Sequence, residues 1–318
     1  MPIICNIPLC SITDHSNLVS MLEPIFLATP EDEINIRIDW SNTYAISPDY
    51  LALIVSAVNY LRENNISLKG SFINMNPNSD CVKYSSRMDF FKNLGFEYDE
   101  SFNRNSSEGR FTEITPFSEP NAFELHKTVM KVLINQDLNE DMLAVLDYCL
   151  WEVIDNTLNH SGQKFEYGAG QGFLCCQNFP QSKKLKIIIS DTGKGIHQAL
   201  TSHPESEYKD LSEAEAVERC IDKGVTNSMG MGFGLFSTSE LIKHNEGTMI
   251  IHSGNHQLVL KDSVTINKTS KWQGTFTFLE LNTDIAVDHK LIFGEDSKIK
   301  DDFNEIKEDF VGENNNLW

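Results

Sequence analysis

From Leu138 to His160 the chain reads as one long amphipathic helix. Its second half, LWEVIDNTLNHSG from Leu150 to Gly162, constrains the rest of the sequence most tightly. Leu146, Leu150, Val153, Ile154 and Thr157 fall on one face, which has to be packed against something. Glu152, Asn156 and His160 recur every four residues, so they form a polar stripe beside that face. A carboxylate can take a proton from water, and an amide oxygen can sit on a magnesium ion. An ordinary surface helix with a polar flank would show the same pattern, so the surrounding sequence has to decide.

Upstream, strands and helices alternate. Pro2 to Leu9 reads as a strand, His15 to Leu27 as a helix and Ile34 to Asp39 as a strand of period two. Ser47-Pro48 opens a second helix that runs to about Asn64. Leu68 to Met75 is another strand, and Val82 to Leu94 a third helix ended by Gly95. This alternation predicts an α/β unit over residues 1–110 with a largely open sheet. Tyr98 to Pro120 is rich in Ser, Asn and Gly and reads as a surface excursion or linker.

Downstream of the long helix come Gly172 to Gln177 and Leu185 to Ser190, both apolar strands. The second ends in Asp191-Thr192-Gly193-Lys194-Gly195. A strand-end carboxylate can accept the exocyclic amine of adenine, and glycines at 193 and 195 leave room for a flat ring. Gly230, Gly232 and Gly234 then alternate in GMGFGL before a helix from Leu235 to His244. Backbone N–H groups freed in this way, together with the start of a helix, suit phosphate. No GK[ST] follows, so this is not a Walker A loop, and no strand precedes it as a Rossmann turn requires. Lys194 and Lys223 lie nearby and read as solvated surface residues or, alternatively, as phosphate contacts. Four short strands follow, at Thr248 to Ser253, Gln257 to Leu260, Val264 to Asn267 and Gly274 to Leu281, the last opening on Gly274-Thr275.

Composition narrows the class of protein. The 318 residues predict two domains, and a net charge of -20 argues against general nucleic-acid binding and against an anionic membrane surface. Seven cysteines without a CxxC spacing provide no zinc framework and make a reducing cytosol the simplest home. Cys175-Cys176 lies in an apolar run and reads as strand packing.

ExxxNxxxH on a helix, DxGxG after a strand, GxGxGL before a helix and a late GT in a strand occur here in that order. Together they resemble the four nucleotide-binding boxes of the GHKL ATPases, over residues 121–283. The resemblance implies a Bergerat two-layer α/β sandwich, with a mixed sheet covered by helices on one face and ATP held under a mobile lid. It implies that Glu152 activates water or a hydroxyl, that Asn156 ligates Mg2+ and that His160 lies close to the phosphates. Asp191 would read adenine with Thr275 beside it. Gly193 and Gly195 would flank the ring, and Gly230, Gly232 and Gly234 would belong to the lid. Residues 1–110, on IDWSNTYAISPDYLAL and FFKNLGF, resemble the STAS domains of anti-sigma-factor antagonists. Their phosphorylated serine falls on Pro48, which has no hydroxyl, so a docking or dimerising role is expected for this unit.

The expected fold class is therefore α/β (α+β), and the expected ligands are ATP and Mg2+. Three reactions fit: hydrolysis or lid closure coupled to dimerisation or partner binding, phosphoryl transfer to a partner protein, and nucleotide-gated binding without turnover. A histidine autokinase does not fit, because HKTVM around His126 lacks the acidic neighbour and nearby proline of a phosphoacceptor hairpin. The acidic segment 284–318 reads either as a helix near Asp302 to Phe310, with Phe303, Ile306 and Phe310 on its docking side, or as disordered.

Overall fold

The computed structural model describes residues 2–161, 171–226 and 232–311. Its first part runs β1 (Ile3–Pro8), α1 (His15–Phe26), β2 (Glu33–Asp39), α2 (Pro48–Glu63) and β3 (Ser67–Ile73). The strands pair in parallel in the order β1-β2-β3. Sequential order with one helix per crossover puts α1 and α2 on the same side of this sheet. Asp14 caps α1 by accepting the Asn17 N–H at 2.8 Å. Pro48 starts α2, where its fixed φ suits the first turn.

The third predicted helix forms as two, α3 (Asp80–Arg87) and α4 (Phe90–Asn93). Asp89 between them has a left-handed backbone, φ 58. Its carboxylate pairs with Lys92 at 2.9 Å and Arg104 at 2.6 Å, which offsets part of the local cost of that conformation.

The second part runs β4 (Phe111–Ser118), α5 (Glu119–Ile134), α6 (Glu140–His160), β5 (Gln171–Phe179), β6 (Lys184–Ser190), α7 (Gly195–Thr201), α8 (Glu213–Arg219), α9 (Gly234–His244), β7 (Thr248–Leu260) and β8 (Val264–Asn282). Two helices follow, α10 (Lys290–Phe293) and α11 (Ile299–Val311). The α+β class expected from the sequence is what forms. The second sheet, in the order β4-β5-β6-β8-β7, is antiparallel at every neighbouring pair rather than mixed. Short hairpins join β5 to β6 and β7 to β8, and a short connection can only reverse the chain. The four short strands expected after residue 248 are two long ones, bent by register shifts at Gly254.

The stretch read as a linker holds β4, an edge strand. Its alternation slips at a bulge between Thr112 and Thr115 and it contains Pro116, which an edge tolerates. Both features hide the period that would have announced it.

Helices α5, α6 and α9 of the second part cover one face of the five-stranded sheet, and α1 and α2 of the N-terminal unit cover the other. Leu174, Cys176, Ile187, Ile189, Leu279 and Leu281 pack in one core with residues of α5, α6, α9 and α11. Phe173, Cys175, Ile188, Phe276 and Phe278 pack in a second core with α1 and α2. Adjacent side chains on a strand point to opposite faces, so Cys175 and Cys176 belong to different cores. The order of layers is thus three strands, α1 and α2 with α3 and α4 in the same core, five strands, and then α5, α6, α9 and α11. The tail segment is helical over α11, with Phe303 and Phe310 buried and Ile306 exposed. Lys300 Nζ of α11 lies 2.5 Å from Asp141 Oδ1 of α6. Among the described residues no helix is long and apolar enough to cross a membrane.

Candidate functional site

Strand β6 delivers Asp191 to the end of the sheet, where the backbone leaves its ladder. The Asp191 N–H donates to Thr275 O at 2.8 Å. Its carboxylate Oδ1 accepts the N–H of Gly193 at 2.8 Å and of Thr275 at 3.4 Å. Asp191 and Thr275, 84 residues apart, therefore share one hydrogen-bonded cluster. Ser253 Oγ extends it, donating to Gly274 O at 3.0 Å and accepting from the Ile196 N–H at 2.8 Å. Gly195 lies against Ser253.

The same loop touches the end of α6. A side chain at Gly193 would place its Cβ 2.2 Å from Ser161 Cα, so the loop and the helix end meet backbone to backbone. The Lys194 N–H donates to His160 O at 3.5 Å. Two turns earlier on α6, the start of α9 arrives: a Cβ on Gly234 would lie 2.7 Å from Glu152 Oε2 and 2.8 Å from Glu152 Cβ. Asn156 is half-buried between these contacts, one turn from Glu152 and one from His160. Gly232 lies against Gly224 and Val225. Gly230 lies outside the described residues.

The electrostatics are those of partial burial. Burial raises the Glu152 carboxyl, with a hydrogen bond from Tyr148 opposing it and Asp155 adding to it. Burial lowers the His160 imidazole, and the Lys194 charge lowers it further, so the ring is held neutral. Burial pushes the Asp191 carboxyl up to about 7, against the pull of the Gly193 and Thr275 N–H groups.

An unfolded aspartate titrates near 4. The folded chain thus holds this proton more tightly, and stability falls as pH rises from about 4 to about 7. An asparagine at 191 removes the buried charge and keeps an oxygen for both donors. Without ligand, Asp191→Asn is expected to melt above wild type near pH 8, with the gap closing toward pH 4. Melting curves across that range check it; equal curves at every pH would remove the buried-charge penalty.

A cavity of about 270 Å³ opens at Asp191 and Thr192. Ser56, Asn59 and Glu63 of α2, Ser118 and Asn121 at the β4–α5 corner, and Gln171 and Phe173 of β5 share its lining, while Glu152, Asn156 and His160 do not. It therefore lies on the α2 side of Asp191.

Among the described residues one group has metal-ligating geometry: Asp141, Asp288 and His289. It is at the first turn of α6, 15 residues and roughly 22 Å of helix from Asn156. Lys300 pairs with Asp141, and His289 Nδ1 lies 2.8 Å from Asp141 Oδ2, so hydrogen-bonded partners already hold that carboxylate.

Sequence reasoning passed over Trp272, Gln273 and Ser253, which hold the Asp191 loop. The dipeptide before Gly274-Thr275 carries no pattern of its own. No family model matches the chain, and no curated protein matches it.

Proposed function

We propose that this chain is an ATP-binding regulatory protein of the GHKL type, in which Asp191 reads the base and Glu152 acts at the γ-phosphate. One observation carries the reading: residues from four distant blocks meet on one helix and one strand. Asp191, Gly193 and Thr275 cluster against Ser161 at the end of α6, and Gly234 closes on Glu152 two turns before it. Along the helix the two contacts are nine residues and roughly 13 Å apart, a length an extended nucleoside triphosphate can bridge.

In this reading the buried Asp191 carboxylate accepts the amine of adenine. Gly193 keeps the loop against α6, and the N–H groups of the first turn of α9 suit the phosphates. Glu152, its basicity raised by burial, takes the proton of the attacking water or hydroxyl. Neutral His160 can donate one hydrogen bond near the phosphates without adding charge. The amide oxygen of Asn156 is a hard donor suited to Mg2+. That ion, when bound, neutralises phosphate charge.

A protein-kinase version of the reaction needs its acceptor from a partner. Pro48 has no hydroxyl, and the Ser47 hydroxyl is tied to Asp49. The N-terminal unit, read as STAS-like, leaves the outer side of its three-stranded sheet for such a partner or for a second copy. If the nucleotide is bound but not turned over, the chain is a gated binding module.

The deciding experiment follows γ-labelled ATP with purified protein and Mg2+. Free phosphate marks an ATPase, label on an added protein marks a kinase, and intact bound ATP marks the gated module. ATP that never associates ends the proposal. Affinity for ADP is also expected to rise with pH through about 7, as Asp191 loses its proton, and to lose this dependence in Asp191→Asn. Titrations at several pH values check this, and a wild-type profile flat from pH 6 to 8 would count against Asp191 as the base reader.

A further inference from the structure

The backbone and carboxylate of Asp191 are held by one short run of β8, Lys271–Thr275. The Trp272 indole Nε1–H donates to Asp191 O at 3.0 Å. Gln273 Nε2 donates to Gly193 O at 2.5 Å. Gly274 lies so close that a Cβ there would be 2.5 Å from Asp191 Oδ1. Thr275 supplies a carbonyl to the Asp191 N–H and an N–H to its carboxylate.

The other side of this run is gripped by the N-terminal unit. The Lys271 N–H donates to Glu23 Oε1 of α1 at 2.8 Å. The Phe26 ring of α1 meets the Trp272 ring edge to face, with centroids 4.8 Å apart at 62°. Phe276 meets the same indole from β8 at 5.3 Å and 88°. Trp272 is fully buried and Phe26 nearly so, which leaves the indole no free volume in which to turn. A shift of α1 must therefore move the indole or break its packing. The indole N–H ends on the main chain of Asp191, the residue proposed above to read the base.

We propose that Trp272 is a positioning residue for Asp191 and that α1 sets its position, so that docking of the N-terminal unit governs affinity for adenine nucleotides. The proposal rests on the base-reading role of Asp191 given above. Linkage makes it reciprocal: bound nucleotide tightens α1 against β8 by the same factor.

The test is calorimetric titration of the full chain with ADP and Mg2+, for wild type, Trp272→Phe, Glu23→Ala and Asp191→Asn. Trp272→Phe keeps a ring between Phe26 and Phe276 and removes the donor together with part of the buried indole volume, and the melting temperature reports that packing loss separately. Its ADP affinity is expected to fall roughly threefold to tenfold, the effect of one lost hydrogen bond. Glu23→Ala, at a half-buried site on α1, is expected to weaken ADP about twofold to fivefold. Because the carboxylate moves relative to its donors, the pH midpoint of ADP affinity is also expected to shift in Trp272→Phe. If Asp191→Asn weakens ADP while Trp272→Phe and Glu23→Ala bind like wild type, the positioning role is overturned and the base-reading role stands. A lowered melting temperature with unchanged affinity and pH midpoint makes Trp272 merely structural, which also overturns it. Wild type that takes up no ADP overturns the underlying reading, and this proposal with it.

Discussion

Glu152→Gln is expected to reduce turnover of the ATP γ-phosphate by roughly 10²–10⁴-fold, the usual contribution of a positioned general base. ADP affinity is expected to stay within about threefold of wild type, because the glutamine keeps the volume and polarity of the side chain. The argument is local. Glu152 is half-buried on α6 with Gly234 packed on its side chain, and burial raises its carboxyl above the ordinary glutamate range. A carboxylate made more basic is a better proton acceptor near neutral pH. Glutamine cannot accept that proton at all. Single-turnover measurement with γ-labelled ATP separates the chemical step from binding. Turnover that survives within a few-fold would take Glu152 out of the reaction and favour the gated module.

The second large effect is expected at Gly193. An alanine there would place its Cβ 2.2 Å from Ser161 Cα, 2.3 Å from its carbonyl oxygen and 2.5 Å from its carbonyl carbon. All three are backbone atoms at a helix end, so no rotamer change relieves the clash. Either the Asp191 loop or the end of α6 has to move. Overpacking of this kind costs about 1–3 kcal/mol. For a chain of this size each kcal/mol lowers the melting temperature by roughly 1–2 °C. Gly70 is the control, since a Cβ there meets nothing within 4 Å. Gly70→Ala is expected to melt like wild type. Gly193→Ala should melt lower and, in the proposed function, bind ADP more weakly, since the loop it displaces carries Asp191. If both variants melted together, the close approach of loop and helix would be refuted.

Much of the architecture is legible in the residues. Apolar spacing in α2 and α6 marks their buried faces, and both helices form within two residues of the expected bounds. The period-two pattern of Glu33–Asp39 and the unbroken run Leu185–Ser190 announce β2 and β6. Legibility fails where a local signal is diluted. A bulge and Pro116 conceal β4. Seven residues of α7 and seven of α8 are too few turns to show a helical period. The left-handed Asp89 divides what reads as one helix, because Arg104, fifteen residues on, pairs with it.

For the candidate site the division is different. Asp191, Gly193 and Thr275 stand out in the sequence because strand-end carboxylates and closely spaced glycines are local patterns. That Gly193 abuts Ser161 and Gly234 abuts Glu152 could not be read there, since contact between distant segments depends on how the layers stack. The same holds for Trp272, whose indole N–H matters only because β8 lies beside β6 and α1 lies behind it.

The linear order of residues, then, determined the local elements and the chemical character of each turn, because helix and strand periods and glycine geometry act over a few neighbours. Tertiary structure alone decided that α1 and α2 cover the second face of the five-stranded sheet, and so tied the N-terminal unit to Asp191. The apolar residues Phe173, Cys175, Ile188, Phe276 and Phe278 required a cover. Nothing in their spacing said which helices would provide it, because burial of apolar surface is not directional.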